Sequence, residues 1–267
     1  MKHNWMRSKA TALTVVAILS VGSALPAAAE DIIPPVSAER PLILGLGVMY
    51  QDKTYKGYSD SDKVSAVPLV MWENDTFFVR GTSAGWKAWR NDSWEFDILA
   101  EVTNEGYDSS DADILTGMDD RDRSAAGGVS LAWHSGPWGL RGVWVHDLLS
   151  KSDGYEARAE LSYTEVSDNQ HWIIKPSAAL VYQSDDMVDY YYGVPTDEAV
   201  PGARPAYDAD SDFIYRIQTV ASWNPGGSRW QLFLGGRFDI QGDEFDDSPI
   251  TSDDKYWMAF FGTGYRF

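Results

Sequence analysis

The feature that most constrains this chain is a two-residue alternation that recurs, segment after segment, from Leu42 to Phe267. Successive side chains of a strand point to opposite faces, so an apolar residue at every second position marks a strand with one apolar face. Leu42, Leu44, Leu46, Val48 and Tyr50 form the first such row, and Val64, Ala66, Pro68, Val70 and Trp72 the second. Trp94 to Val102, Ala157 to Tyr163, Trp172 to Tyr182, Phe213 to Trp223, Trp230 to Ile240 and Trp257 to Phe267 repeat the pattern. Two further strands, about 123–134 and 138–149, flank the Ser135-Gly136-Pro137 turn. No helix-period segment of any length interrupts them, so the chain reads as all-β.

Alternation alone does not say which face points inward. A soluble barrel would bury the apolar face and leave the charged face to solvent. A membrane barrel inverts this. Three features favour the inversion. Trp or Tyr recurs at strand ends, as at Trp172/Tyr182 and Tyr155/Tyr163, where an interfacial girdle would lie. The apolar faces carry many small residues in mid-strand. Connections also alternate between short turns (Glu73-Asn74-Asp75, Ser135-Gly136-Pro137, Ser167–Gln170, Asn224–Gly227) and long loops (51–62, 105–121, 185–210, 241–254). On this reading Glu95, Asp97, Glu101, Arg141, Asp147, Glu156, Arg158, Glu160, Arg216, Arg237 and Asp239 face the lumen, where they must pair. The fold expected is a transmembrane antiparallel up-and-down β-barrel with short periplasmic turns and long external loops. Eleven runs are visible if 77–90 is one strand, and closure with both ends on one side needs an even number. A turn within Gly81–Gly85 makes about 12 strands, and 10 is the alternative if a weak strand fails to cross.

The ends of the chain agree. Lys2, Arg7 and Lys9 precede an apolar run, Ala10 to Val21, too short to span a bilayer, and Ala27-Ala28-Ala29 supplies small residues. Residues 1–29 therefore read as a Sec-type signal peptide cut between Ala29 and Glu30. Residues 30–267 then form a single barrel with a lead-in over 30–40. At the other end, Phe261, Tyr265 and Phe267 belong to an alternating aromatic row that stops at a terminal Phe, the kind of signal read by the barrel assembly machinery. The expected location is the outer membrane of a Gram-negative bacterium, with outer-membrane lipids as the first partner.

Composition bounds the chemistry. Residues 1–29 hold three of the 22 basic residues and none of the 40 acidic ones, so their removal moves the net charge from −18 to −21. Such a surface repels nucleic acid. With no cysteine, thiolate catalysis and Cys–zinc sites are excluded.

Four stretches are familiar together: Phe78-Val79-Arg80-Gly81 with Ala84-Gly85-Trp86; Met118-Asp119-Asp120-Arg121; Tyr190-Tyr191-Tyr192-Gly193-Val194; and Gly242-Asp243 followed by Asp247-Ser248-Pro249-Ile250. With Tyr265-Arg266-Phe267 they resemble the MltA-interacting protein (MipA/OmpV) family. The resemblance implies an outer-membrane barrel, and a scaffold role between a lytic transglycosylase and a murein synthase in peptidoglycan turnover. A small cation-preferring channel and a surface adhesin or receptor are the alternatives.

Motifs for catalysis are weak. Gly81-Thr82-Ser83-Ala84-Gly85 matches a nucleophile elbow, but strand-like sequence continues on both sides where the motif needs a helix after it, so a bend or bulge is expected. His134, His146 and His171 lie in no metal-ligand spacing with one another. No catalytic, cofactor or metal residue is assigned. The acidic loop clusters read as solvated faces, with weak cation attraction as the alternative. Candidate loop interaction residues are Tyr190, Tyr191, Tyr192 and Tyr207, able to stack on glycans, together with Asp119 and Asp120.

Overall fold

The structure is a computed structural model that describes residues 42–58, 63–103 and 105–267. The expected cleavage site at Ala29 and Glu30 and the lead-in over 30–40 lie outside them. Thirteen strands pair antiparallel into one closed sheet among the described residues. They are β1 Leu42–Gln51, β2 Val64–Glu73, β3 Phe77–Arg80, β4 Ser83–Arg90, β5 Trp94–Val102, β6 Ala125–Ser135 and β7 Trp138–Asp147, then β8 Tyr155–Tyr163, β9 Glu165–Val166, β10 Trp172–Gln183, β11 Asp212–Trp223, β12 Trp230–Gln241 and β13 Lys255–Arg266. Both β8 and β9 pair with β10, so they form one stave interrupted at Thr164. The barrel thus has the twelve staves expected of it. β13 closes onto β1 with Leu44 opposite Tyr265 and Val48 opposite Phe261, and the Phe267 amide donates to the Leu42 carbonyl at 3.0 Å.

The twelfth stave comes from 77–90, which does turn. Gly81 has a φ of 61°, a conformation that glycine adopts without steric cost, and the chain reverses at Gly81-Thr82. The tip of this hairpin rests on its neighbours: the Gly81 amide donates to Val70 at 3.0 Å and the Val102 amide to Thr82 at 3.2 Å. Ser83 is the first residue of β4, with Glu101 opposite it in the sheet and strand on both sides of the turn.

The apolar rows face outward. Leu46 is 67% exposed and Ile217 66%, and Leu44, Val48, Ile98, Leu131, Leu140, Leu161, Leu234 and Phe261 are exposed with them. A water-soluble chain does not leave so much contiguous apolar surface uncovered, whereas lipid covers it without cost. Aromatic rings touch from strand to strand in two belts. At the short-turn end Trp138 meets Tyr163 (5.0 Å), Trp172 meets Trp223 (5.5 Å), and Trp230 meets Tyr265 (5.3 Å). At the long-loop end Tyr50 stacks on Trp257 (4.5 Å), and Tyr155, Tyr182 and Phe213 form a row. Trp172 and Tyr182 are ten residues apart on β10. At a tilt of about 40° that separation places the belts about 25 Å apart, the height of an outer-membrane apolar band.

Inside, the wall is divided. The predicted lumen charges do point inward. However, β1, β2, β11, β12 and β13 also turn apolar residues inward, so Ile43, Met49, Val67, Leu69, Met71, Val220, Phe233, Met258 and Phe260 form an apolar cluster against one side of the lumen. β1 and β2 are apolar on both faces over most of their length, which is the sequence signal for it.

The two ends differ in construction. Tight turns close one: the Asn74 side-chain oxygen accepts from the amides of Thr76 and Phe77 (2.7 and 2.6 Å), and Asn91 caps Ser93 and Trp94 in the same way (2.9 Å each). The long connections gather at the other end.

Candidate functional site

The long loops fold together into a cap over one end of the barrel. Two short helices anchor it, α1 Asp185–Tyr192 and α2 Asp243–Asp246. Asp185 and Asp186 occupy the first turn of α1, where the helix dipole favours negative charge. The helix then presents Met187, Val188, Tyr191 and Tyr192 to one side, and these pack with Tyr55, Tyr107, Leu115, Met118, Phe245 and Ile250 from three other loops. Tyr55 meets Tyr107 edge-on at 4.8 Å, and Tyr192 meets Phe245 at 4.8 Å. Burying each such ring contributes about 1.5–3 kcal/mol, enough to offset the entropy of ordering one or two loop residues.

Polar ties cross between the same loops. Ser248 Oγ donates to the Tyr192 carbonyl at 2.6 Å, and Tyr55 Oη to the Tyr191 carbonyl at 3.2 Å. Arg121 Nη2 pairs with Glu198 Oε2 at 2.9 Å while its Nε donates to the Tyr190 carbonyl at 3.0 Å. Arg204 donates to the carbonyls of Ile114, Thr116 and Glu198. Sequence reasoning gave these two arginines no role of their own, although Arg121 stands in the Met118–Arg121 stretch.

The predicted loop residues fall within this cap. Tyr191 is 1% exposed and Tyr192 is buried too, so neither ring face meets solvent. Burial raises both phenols well above their ordinary range. Tyr190 is half-buried, with the Arg121 guanidinium 5.6 Å from its ring. Tyr207 Oη donates to Glu244 Oε2 at 2.9 Å. Asp119 and Asp120 are exposed: the Asp119 carbonyl accepts from Arg121 at 3.0 Å, and the Ser109 amide, donating to Asp120 at 2.6 Å, holds that carboxyl below its usual range. Arg121 thus connects Tyr190 with Asp119, while Tyr207 pairs with Val194 and ties its loop to α2 through Glu244.

Beneath the cap many charged side chains of the lumen pair with one another. Arg158 Nη2 bonds both oxygens of Glu101 at 2.8 Å, and its Nε faces Glu156 at 3.3 Å. Arg216 and Arg237 both pair with Asp239, at 2.9 and 2.8 Å. Glu160 takes Lys175 at 3.1 Å and Gln218 at 2.9 Å. Glu73 takes Arg80 at 3.0 Å and also Lys87.

At the short-turn end the lumen widens into a cavity of about 470 Å³. Its wall includes Glu73, Arg80, Asp97 and Arg141 from β2 to β7, and Ile173, Lys175, Val220 and Ser222 side by side on β10 and β11, and it reaches the β6–β7 turn at Gly136 and Pro137.

The comparisons with known proteins fit this architecture. Residues 44–267 match the family described as MltA-interacting protein MipA. The chain belongs to that family. The MltA-interacting protein of Escherichia coli (strain K12) is 28% identical over 235 residues, 86% of this chain and 92% of the relative. Outer membrane protein OmpV of Vibrio cholerae serotype O1 (strain ATCC 39315 / El Tor Inaba N16961) is 28% identical over 161 residues, 60% of this chain and 61% of the relative. Among solved structures, the NanC porin superposes with a TM-score of 0.42 at 10% identity, covering 84% of this chain and 100% of that one. The chain is an outer-membrane β-barrel of the MipA/OmpV type. The stretches that carried the family resemblance are largely the cap: Tyr191-Tyr192-Gly193-Val194 packs on the segment holding Ser248 and Ile250.

Proposed function

We propose that this barrel is a non-enzymatic scaffold linked to the peptidoglycan synthesis and turnover machinery, with a lytic transglycosylase and a murein synthase as its partners. The observation that supports it most is how the interior is used. The cap covers the loop end, and an apolar cluster and ion pairs line the lumen between it and the turn-end cavity, so most of the side chains there serve the fold. The surface left for partners on the cell-wall side is then the ring of tight turns, with Leu42 and Phe267 beside it. A family relative carries the name MltA-interacting protein, which supports the transglycosylase as one partner.

Pull-down from detergent extracts tests this. The scaffold reading expects enrichment of both enzymes over an unrelated barrel, lost when the turns at 74–76, 91–93 and 224–229 are exchanged for those of that barrel. No enrichment of either enzyme, or enrichment indifferent to the turns, would reject it.

A further inference from the structure

The turn-end cavity holds a carboxylate whose needs the protein does not meet. Asp97 is 2% exposed and lines the cavity. Its Oδ2 accepts from Ser130 Oγ at 3.1 Å, while its Oδ1 is buried with no hydrogen-bond partner. Two of the nearby cations are committed elsewhere. Lys87 lies directly opposite Asp97 in the β4–β5 register, yet its ammonium goes to Glu73 and to the Asn74 carbonyl (3.1 Å). Arg80 also goes to Glu73, through Nε at 3.2 Å and Nη2 at 3.0 Å. One carboxylate therefore receives two cations while its buried neighbour receives a single hydroxyl. A buried carboxylate oxygen without a donor is unfavourable, a penalty that a bound cation would relieve. Across the cavity, Ser222 Oγ is also buried without a partner, between the apolar side chains of Ile173 and Val220 in the lining.

We propose that this cavity is a binding site for a small ammonium-bearing solute that enters from the short-turn end. Asp97 Oδ1 accepts from the ammonium group. An aliphatic body lies along Ile173 and Val220, and Ser222 meets a second polar group. The volume suits a solute of amino-acid to short-peptide size. The Glu73 pair with Arg80 and Lys87 keeps those cations away from Asp97, and so leaves its charge available to the solute. This site is independent of the scaffold role, which concerns the outer surface of the turns.

Calorimetric titration of the folded full-length barrel in detergent, with aminopentanol and its uncharged counterpart pentanediol as probes, tests it. Aminopentanol binds saturably and at least about tenfold more tightly than pentanediol. Asp97→Asn, folded by heat-modifiable migration, loses about tenfold in affinity, while Asp253→Asn at the loop end leaves it unchanged. Ser222→Val, which narrows the opposite wall without touching Asp97, weakens binding as well and carries the test if Asp97→Asn does not fold. No saturable binding to the wild-type barrel, equal binding of the two probes, or full affinity retained in a folded Asp97→Asn or Ser222→Val variant would each overturn the proposal.

Discussion

At the scale of single residues, the cap depends on groups whose cost is visible. Glu105 follows β5, and its Oε2 is buried without a partner while Gln183 Nε2 donates to Oε1 at 2.9 Å. Burial first, and then the nearby Glu156 charge, pushes its carboxyl up to about 7. Glu101 and Arg158 hold each other close by, Tyr55 and Tyr192 face it from the cap, and Arg216 and Arg237 act from farther off. An ionised Glu105 therefore works against the folded cap. The carboxyl titrates near 4.3 in an unfolded chain, so the native cap binds the extra proton between that pH and about 7. Stability from this group is fully present below pH 4.3 and is lost as pH rises through 7, by an amount on the order of 3 kcal/mol. Hydrogen exchange of the α1 amides, corrected for intrinsic rate, should show easier opening at pH 8 than at pH 5, and Glu105→Gln should flatten the difference. Gly193 is a second sensitive point. A Cβ there would stand 2.2 Å from Asp189 Oδ1, the atom that accepts from the Ala209 amide. Gly193→Ala should cost about 1–3 kcal/mol of cap stability and expose 184–211 to limited proteolysis, with barrel migration on gels unchanged.

At the scale of elements, β13 and the lumen network make different demands. Phe267 and Ile240 both point out toward lipid. Replacing either by Ser removes about 1.5–3 kcal/mol of apolar burial and leaves the strand pairing possible. Phe267→Ser should nevertheless assemble far worse in cells, because the terminus is read during insertion. Equal yields of heat-modifiable, outer-membrane-fractionated protein would refute that role. The Arg216–Asp239–Arg237 group joins β11 and β12 from within. Asp239→Ala leaves two buried cations without their carboxylate and should lower stability by about 3–5 kcal/mol in urea unfolding. Asp253→Ala, at an exposed site, should change it by less than about 0.5 kcal/mol.

The whole molecule is a barrel occupied from within and covered at its loop end. Charge in its lumen suggests a pore, but the Arg158–Glu101 pair bridges β8 and β5 within it and the cap covers its loop end. In planar bilayers the intact protein should therefore give no steady conductance steps. Deleting 186–208 removes Tyr191 and Tyr192 from the cap core and should produce them. Steps from the intact barrel would show that cap and network part readily.

The sequence by itself marked most of the strands, a count of about twelve with ten as the alternative, a preference for the outward apolar face and the asymmetry of the two ends. Each depends on a local period or on turn residues, and alternation is written within ten residues. Tertiary structure decided the rest. Tyr190, Tyr191, Tyr192 and Tyr207 read alike as loop aromatics, yet two are buried, because Phe245 and Ile250 arrive from a segment some 50 residues on. Arg121 meets Glu198 across 77 positions, and Arg158 meets Glu101 across 57. With many inward charges of both signs, the pattern permits numerous pairings. Only the stagger of the closed barrel selects among them, giving Glu73 two cations and leaving Asp97 to face the cavity.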